Sequence, residues 1–329
     1  MAEQDADELL FIQQNNVNWH LDGVVKELGI VRQQWRKKYY PSDYLDKRLI
    51  PSKEKMSEIA DTLLKILYPM RLGNSDLRRD NEDYYVGYLL GNALDRLAEE
   101  ASLELRYSDV LLARHGGKSP RDDNFLKFDE AVKRVKAFSS TLPAIRKQLD
   151  SDILAAYHGD PATQSVDEVL LCSPGIYAVI HYRLAHQLYR LELPLLARII
   201  SEKAHSQTGI DIHPGAQIDD GFFIDHGTGV VIGETAIIGK RVRIYQAVTL
   251  GAKSFITDGD GNLQKNYPRH PMVEDDVVIY AGATLLGRIK IGARSTIGGN
   301  VWLTQDIPPD SNIRQATVLQ TQFKDGDGI

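Results

Sequence analysis

Hydrophobic positions along this chain follow two different periods, and the change comes near residue 209. Before it the spacing is helical. In residues 54–68 the apolar Ile59, Leu63, Ile66 and Leu67 form one stripe, and Pro69 ends the run. Residues 82–105 and 126–150 also read as long helices, and Pro174 and Pro194 open two more stretches, at 175–191 and 194–207. Between them lie the breakers Pro41-Ser42-Asp43, His115-Gly116-Gly117-Lys118 and Gly159-Asp160-Pro161. Residues 1–208 are read as an all-helical domain, with the weakest pattern in residues 1–50.

From residue 209 the period is six. The aliphatic residues Ile212, Ile218, Ile224, Ile232, Ile238, Ile244, Leu250, Val273, Ile279, Leu285, Ile291, Ile297 and Leu303 keep step through thirteen hexads with two insertions. Glycine often follows the aliphatic (Gly233, Gly239, Gly251, Gly292, Gly298), and the fifth position is small or branched (Ala216, Val242, Ala283, Val301). A hexad repeat is the mark of a β-helix, in which three hexads make one triangular coil and each coil covers the apolar face of the last. Thirteen hexads make about four coils. Coils of this kind wind left-handed, against the usual crossover preference. The fold expected is α+β: an N-terminal all-helical domain at 1–208, a left-handed parallel β-helix at 209–305, and a flexible polar tail at 306–329. Accidental periodicity in a β-sandwich would not hold step so long.

Regular coils are scaffold, so the breaks are where chemistry is sought. The step from Ile224 to Ile232 is eight, which places two extra residues within Asp225-His226-Gly227-Thr228-Gly229-Val230. The step from Leu250 to Val273 is 23, which sends out a loop ending in Arg269-His270-Pro271. Both breaks deliver a histidine. Acyl transfer to a hydroxyl needs a base, and imidazole, with an ordinary pKa near 6.5, suits that task. A carboxylate on the other ring nitrogen would set the tautomer. His226 is the candidate base. Asp211, 15 residues earlier, lies about five-sixths of a coil away and is the candidate orienter. A lone turn histidine is more often just hydrogen-bonded, and His213 has no better case. Asp258-Gly259-Asp260-Gly261-Asn262 opens like a calcium loop but lacks the closing glutamate, so it reads as a solvated loop.

Composition narrows the classes further. The 329 residues are 43% hydrophobic and 26% charged, with a net charge of −6, an ordinary globular balance. No basic stripe is present, so nucleic acid is not an expected partner. The single cysteine, Cys172, cannot form an internal disulfide, which fits a reducing cytoplasm; it is expected as a buried core thiol. The acidic start MAEQDADELL lacks the features of a signal peptide, and no 18-residue apolar window predicts a membrane span.

The runs Gly209-Ile210-Asp211-Ile212-His213-Pro214-Gly215-Ala216, Phe223 to Ala236, Gln246 to Gly251 and Arg269-His270-Pro271 resemble the serine acetyltransferase family, over about 155–305. Asp160-Pro161-Ala162, with Gly175 fifteen residues after Asp160, also resembles the family's segment before the β-helix. The resemblance implies direct transfer of acetyl from acetyl-CoA to the L-serine hydroxyl, the first step of cysteine biosynthesis, with feedback inhibition by L-cysteine. It makes His226 the base and Asp211 its orienter. Asp160 and Asp225 would hold the serine ammonium, with Pro161 shaping that wall. Arg269 would pair with the serine carboxylate, beside His270. Acetyl-CoA would lie between adjacent prisms of a trimer, near Gly251, Ala252 and Ala281; no metal and no acyl-enzyme are implied. The trimers are expected to pair through the helical domain as a hexamer. Three departures stand out: Ala252 replaces a second glycine, the 252–268 loop is long, and the last coil is absent. The terminal Asp327-Gly328-Ile329 resembles a family tail whose last isoleucine enters the active site of O-acetylserine sulfhydrylase, which makes that enzyme an expected partner.

Other functions predict other residues. A hexapeptide acetyltransferase for a sugar or antibiotic hydroxyl has no need of Asp160, Asp225 and Arg269 together. A carbonic anhydrase on this fold needs three zinc histidines with a close pair, a spacing that His213, His226 and His270 lack. A non-catalytic scaffold would need only the tail.

Overall fold

The structure, a computed structural model, describes residues 19–39, 50–114, 124–257, 259, 261, 263–265 and 267–315. Met1–Leu49 and Arg106–Asp122 make one packing unit; Ile50–Leu105 and Asp123–Ile329 make the other. Packing therefore does not divide the chain at residue 209, where the period changes. In the first unit, Leu21–Tyr39 (α1) buries none of its residues.

In the second unit Ser52 caps Lys53–Leu67 (α2), its Oγ accepting the Lys55 N–H at 3.3 Å. The expected stripe is buried, with Met56, Ile59 and Leu63 fully covered. Pro69 ends α2 but opens the single turn Pro69–Leu72 (α3). Glu82–Arg114 (α4), of which only residues 82–105 belong to this unit, and Asn124–Gly159 (α5) run longer than their periodicity predicts. α5 even passes through Pro143: the hydroxyls of Ser139, Ser140 and Thr141 bond carbonyls of the turn before it. Val166–Cys172 (α6), too short for a periodic signal, is capped by Ser165. Its only buried residue is Val169, so Cys172 is exposed at its end rather than buried in the core as expected. Pro174–Arg190 (α7) and Pro194–Thr208 (α8) begin at their prolines. Gly209, at φ 68°, closes α8 in the left-handed conformation. No described helix is long and apolar enough to cross a membrane.

Fourteen short strands follow: Asp211–Ile212 (β1), Gln217–Ile218 (β2), Phe223–Ile224 (β3), Val231–Ile232 (β4), Ile237–Ile238 (β5), Arg243–Ile244 (β6), Thr249–Gly251 (β7), Met272–Val273 (β8), Val278–Ile279 (β9), Thr284–Leu286 (β10), Lys290–Ile291 (β11), Thr296–Ile297 (β12), Trp302–Leu303 (β13) and Asn312–Ile313 (β14). They stack as three parallel sheets: β1-β4-β7-β10-β13, β2-β5-β8-β11, and β3-β6-β9-β12-β14. This is the prism of a left-handed parallel β-helix. All thirteen hexad aliphatics are buried inside it. The coil that the sequence reading finds missing is present. β13 pairs with β10, Ile307 bridges Ile291, and β14 pairs with β12. The step from Leu303 to Ile307 is four rather than six, and the next, to Ile313, is six again. A shortened corner and two prolines hide a fifth coil.

A β-helix leaves one edge of its first coil unpaired, and that edge must be covered. Here α5 and α7 cover it. Arg183 of α7 forms a two-pronged pair with Asp152 of α5 at 2.6 and 2.9 Å, almost fully buried, and also donates to the carbonyls of Ile218 and Asp219. Asp152 accepts the Phe222 N–H, Ser151 accepts that of Gly221, and the Tyr182 hydroxyl bridges Ala216 O and Ile218 N–H. Asp152→Asn would leave the Arg183 charge buried and unpaired. Urea denaturation should show a loss of about 3–5 kcal/mol. Asp276→Asn, which breaks an exposed pair with Arg241, should cost less than about 1 kcal/mol. Equal losses would show that the buried pair is not what secures the edge.

His181 of α7 donates from Nδ1 to Tyr177 O at 2.8 Å, while its Nε2 is buried without a partner among the described residues. Burial pushes its pKa down to about 4. An unfolded histidine binds its proton near pH 6.5. Between pH 6.5 and about 4 the unfolded chain therefore holds a proton that the folded chain refuses, and stability falls as pH falls. Urea midpoints across that window should drop for the parent and drop less for His181→Gln; parallel curves would show that His181 is not the group responsible.

Candidate functional site

The first break forms a corner between β3 and β4. His226 sits there at φ 59°, its side chain 72% exposed. Left-handed residues recur at other corners, among them Ala247, Asp276 and Asn300, so this conformation belongs to the prism rather than to His226 alone. The next residue, Gly227 at φ 89°, has no alternative: a Cβ there would lie 2.4 Å from Ile210 Cδ1. The corner rests on the start of the prism, with the Gly229 N–H bonded to Gly209 O at 2.8 Å. His226 Nδ1 stands 4.0 Å from Asp225 Oδ1. The other Asp225 oxygen accepts from Arg243 Nη2 at 2.7 Å. Asp160, just past the end of α5, faces the same corner. Hydrogen bonds from Ala162 N–H (2.8 Å) and the Thr163 hydroxyl (3.0 Å) hold its carboxyl below the usual range, and His226 and Arg243 lower it further. The capping of the first coil by α5 is what carries Asp160 here. Pro161 follows it, exposed.

The second break serves a different corner, between the first sheet and the second. Arg269 Nη2 donates to Glu234 at 2.6 Å, and the Tyr189 hydroxyl donates to the same carboxylate at 3.0 Å. Burial alone would raise the Glu234 carboxyl, but these two donors hold it below the usual range. Thr235 Oγ1 accepts the Arg269 N–H at 2.9 Å and lies 2.9 Å from His270 Nδ1, which also accepts the Thr235 N–H at 3.1 Å. These bonds leave the His270 proton on Nε2. Burial first, and then Arg269, push the His270 pKa down to about 4, so the ring is neutral at pH 7. The ring fills the space a side chain at 233 would take: a Cβ on Gly233 would lie 2.0 Å from His270 Cδ2. His213 shares this corner, its pKa lowered by burial and by Arg198, with Nδ1 accepting the Gly215 N–H.

The structure brings Asp160, Asp225 and His226 together, and separately Arg269 and His270. The two groups stand at opposite ends of one prism face, the first at the corner that leads into β4 and the second at the corner that leaves it. Gly251 and Ala252 lie at the Arg269 end of that face and Ala281 at the His226 end. Asp211, at the start of β1, adjoins the His226 corner, but among the described residues no hydrogen bond joins it to the ring. It stands instead beside Glu202 and His205, with ligand atoms all within 4.8 Å of one another. Of these, His205 and Glu202 are in contact at 3.2 Å. Ile329 lies outside the described residues, as do Asp258, Asp260 and Asn262.

Sequence reasoning gave no role to Glu234, Thr235, Tyr189 or Arg243. Glu234 and Thr235 were in plain view beside the first break, in Gly233-Glu234-Thr235-Ala236. Arg243 carries no local signal, for it is one of many outward strand positions.

No protein-family model matches the chain. It is 49% identical over 312 residues to the "serine acetyltransferase, plasmid" of Synechococcus elongatus, an alignment covering 95% of this chain and 96% of that one. It is 42% identical over 167 residues to the serine acetyltransferase of Bacillus subtilis, covering 51% and 73%. Among solved structures, Entamoeba histolytica serine acetyltransferase 1 in complex with L-cysteine superposes with a TM-score of 0.65 at 36% identity, covering 82% of this chain and 88% of that one. The native form of that protein gives 0.64 at 34% identity, covering 87% and 97%. With the same fold, and with near full-length identity far above what a shared fold alone requires, the chain is an acyltransferase that belongs to the serine acetyltransferase family.

Proposed function

We propose that the chain moves the acetyl group of acetyl-CoA directly to the hydroxyl of L-serine, giving O-acetylserine and CoA as the first step of cysteine biosynthesis. The observation that carries this reading is the pair of complementary half-sites: two carboxylates beside an exposed histidine at one corner, and an arginine beside a neutral histidine at the other. An amino acid needs both, a carboxylate set for its ammonium and a guanidinium for its carboxylate. Asp160 and Asp225 take the ammonium and Arg269 the carboxylate, next to His270. His226 removes the hydroxyl proton as the serine oxygen attacks the thioester carbon. When the C–S bond breaks, the imidazolium returns that proton to the CoA sulfur. Asp211 orients the ring by way of the corner it shares with His226.

Half-sites at opposite ends of one face meet only when a second prism turns its other corner toward the first. The active unit is therefore a cyclic homotrimer with sites between chains, pairing as a hexamer, and the pantetheine arm lies in the same groove against Gly251 and Ala252 of one chain and Ala281 of the next. L-Cysteine offers the same ammonium and carboxylate as serine, so it competes for this site as a feedback inhibitor. The Entamoeba histolytica relative solved with L-cysteine supports that. The tail ending in Ile329 is proposed to dock in O-acetylserine sulfhydrylase. A ten-residue peptide with and without Ile329 should differ clearly in competing with O-acetylserine, and equal binding would remove that partner.

His226→Ala should lower turnover by about 10²–10⁴-fold, with Asp211→Asn a milder defect of the same kind. Arg269→Ala should raise the KM for serine without weakening acetyl-CoA. When the His226→Ala and Arg269→Ala chains are unfolded and refolded together, about one interchain site in four regains both residues. Activity should return to roughly that fraction of the parent. Mixed trimers as inactive as either parent variant would show that the site is not shared between chains.

A further inference from the structure

The Asp225 carboxylate, half of the proposed ammonium clamp, is not free: Arg243 already holds one of its oxygens. The Arg243 guanidinium is half-buried between two aromatic rings. It lies 5.0 Å over the Phe223 ring and 4.7 Å over the Tyr245 ring. A Cβ built on Gly159, next to Asp160, would sit 3.6 Å from its Nη1. Its Nε is buried and has no hydrogen-bond partner among the described residues. Other arginines also link successive coils, but at exposed corners. Arg241 to Asp276 and Arg294 to Asp310 are pairs of side chains 40–62% exposed, against 26% and 13% for Arg243 and Asp225. Arg243 is thus the arginine among these that lies at the His226 corner, bonded to Asp225 and close enough to Asp160 to lower its carboxyl.

We propose that Arg243 is a positioning residue for this half-site: it holds Asp225 beside His226 and cancels one of the two carboxylate charges, so that the pocket carries one net negative charge and takes a single ammonium group. The inference rests on the serine reading above and refines it. Two uncompensated carboxylates, Asp160 and Asp225, would repel one another and hold a cation wherever their joint field is strongest. With Arg243 in place, Asp225 Oδ2 is fixed, and only Oδ1 is turned toward the ring and the substrate. Arginine is suited to the position because its flat guanidinium can stack between Phe223 and Tyr245 while donating from its edge.

Positioning and mere stapling of coils make different predictions. Removing the charge in Arg243→Gln leaves the pocket more negative, so serine still binds, but Asp225 is no longer held. The expected result is a kcat lower by about tenfold, the scale of a small misplacement, with the KM for serine not raised. Arg243→Lys, which restores the charge without the stack, should recover part of the lost kcat but not all of it. Arg294→Gln, a staple far from both half-sites, should leave both constants unchanged. The proposal is overturned if Arg243→Gln has parental kcat, if it raises KM as much as it lowers kcat, or if Arg243→Lys rescues nothing at equal thermal unfolding midpoint. Asp225→Asn separates the two levels: if it leaves serine kinetics unchanged, the reading of this corner fails. If it is damaging while Arg243→Gln is silent, that reading stands and Arg243 is only a staple.

Discussion

The buried pair between Asp152 and Arg183 is the interaction on which the remaining architecture depends. A prism of stacked coils satisfies its backbone everywhere except at its two ends, and the first coil has no neighbour below it. Asp152 and Arg183 bring two helices onto that edge and share their remaining hydrogen-bonding capacity with the carbonyls and amides of residues 218–222. An ion pair this deep repays its desolvation only when its other donors and acceptors are also used, and here they are used on the strand edge itself. The pair therefore joins helices and prism into one packing unit, and that union explains why compactness does not divide the chain where its period changes.

The same junction has a chemical consequence. α5 ends where it does because its last turns are committed to the first coil, and its last glycine lies against Phe223. The residue after that glycine is Asp160. Helix capping of a β-helix thus delivers a carboxylate to the corner where the insertion after Ile224 has pushed out His226. At the other corner the site is assembled differently. The long excursion from Leu250 to Val273 returns through Arg269 and His270, and Thr235 receives them with four hydrogen-bonding contacts. One proposed half-site is made by a helix end meeting an inserted corner, the other by a loop returning to a regular one. Neither is complete for an amino acid, which has two opposite charges to satisfy.

Much of this was legible in the chain itself. The hexad aliphatics determined the prism, because a residue that must point inward every sixth position cannot change type without opening a hole in a stack. The two broken steps located both corners, because extra residues in a closed coil can only go outward. The residues at those breaks resemble those of serine acetyltransferases, the family to which the chain belongs. Tertiary structure decided what period cannot encode. The fifth coil escaped notice because a corner two residues short breaks the count while the strands still pair. Cys172 was expected inside because isolated cysteines often are, but its short helix buries only Val169. The partners of the site residues were invisible for the same reason. Asp225 with Arg243 and Arg269 with Glu234 are separated by 18 and 35 residues and meet only through the stacking of coils. That Asp160 and His226 share a corner which Arg269 does not reach was settled by the folded chain, since spacing along a sequence does not say at which end of a prism face a residue emerges.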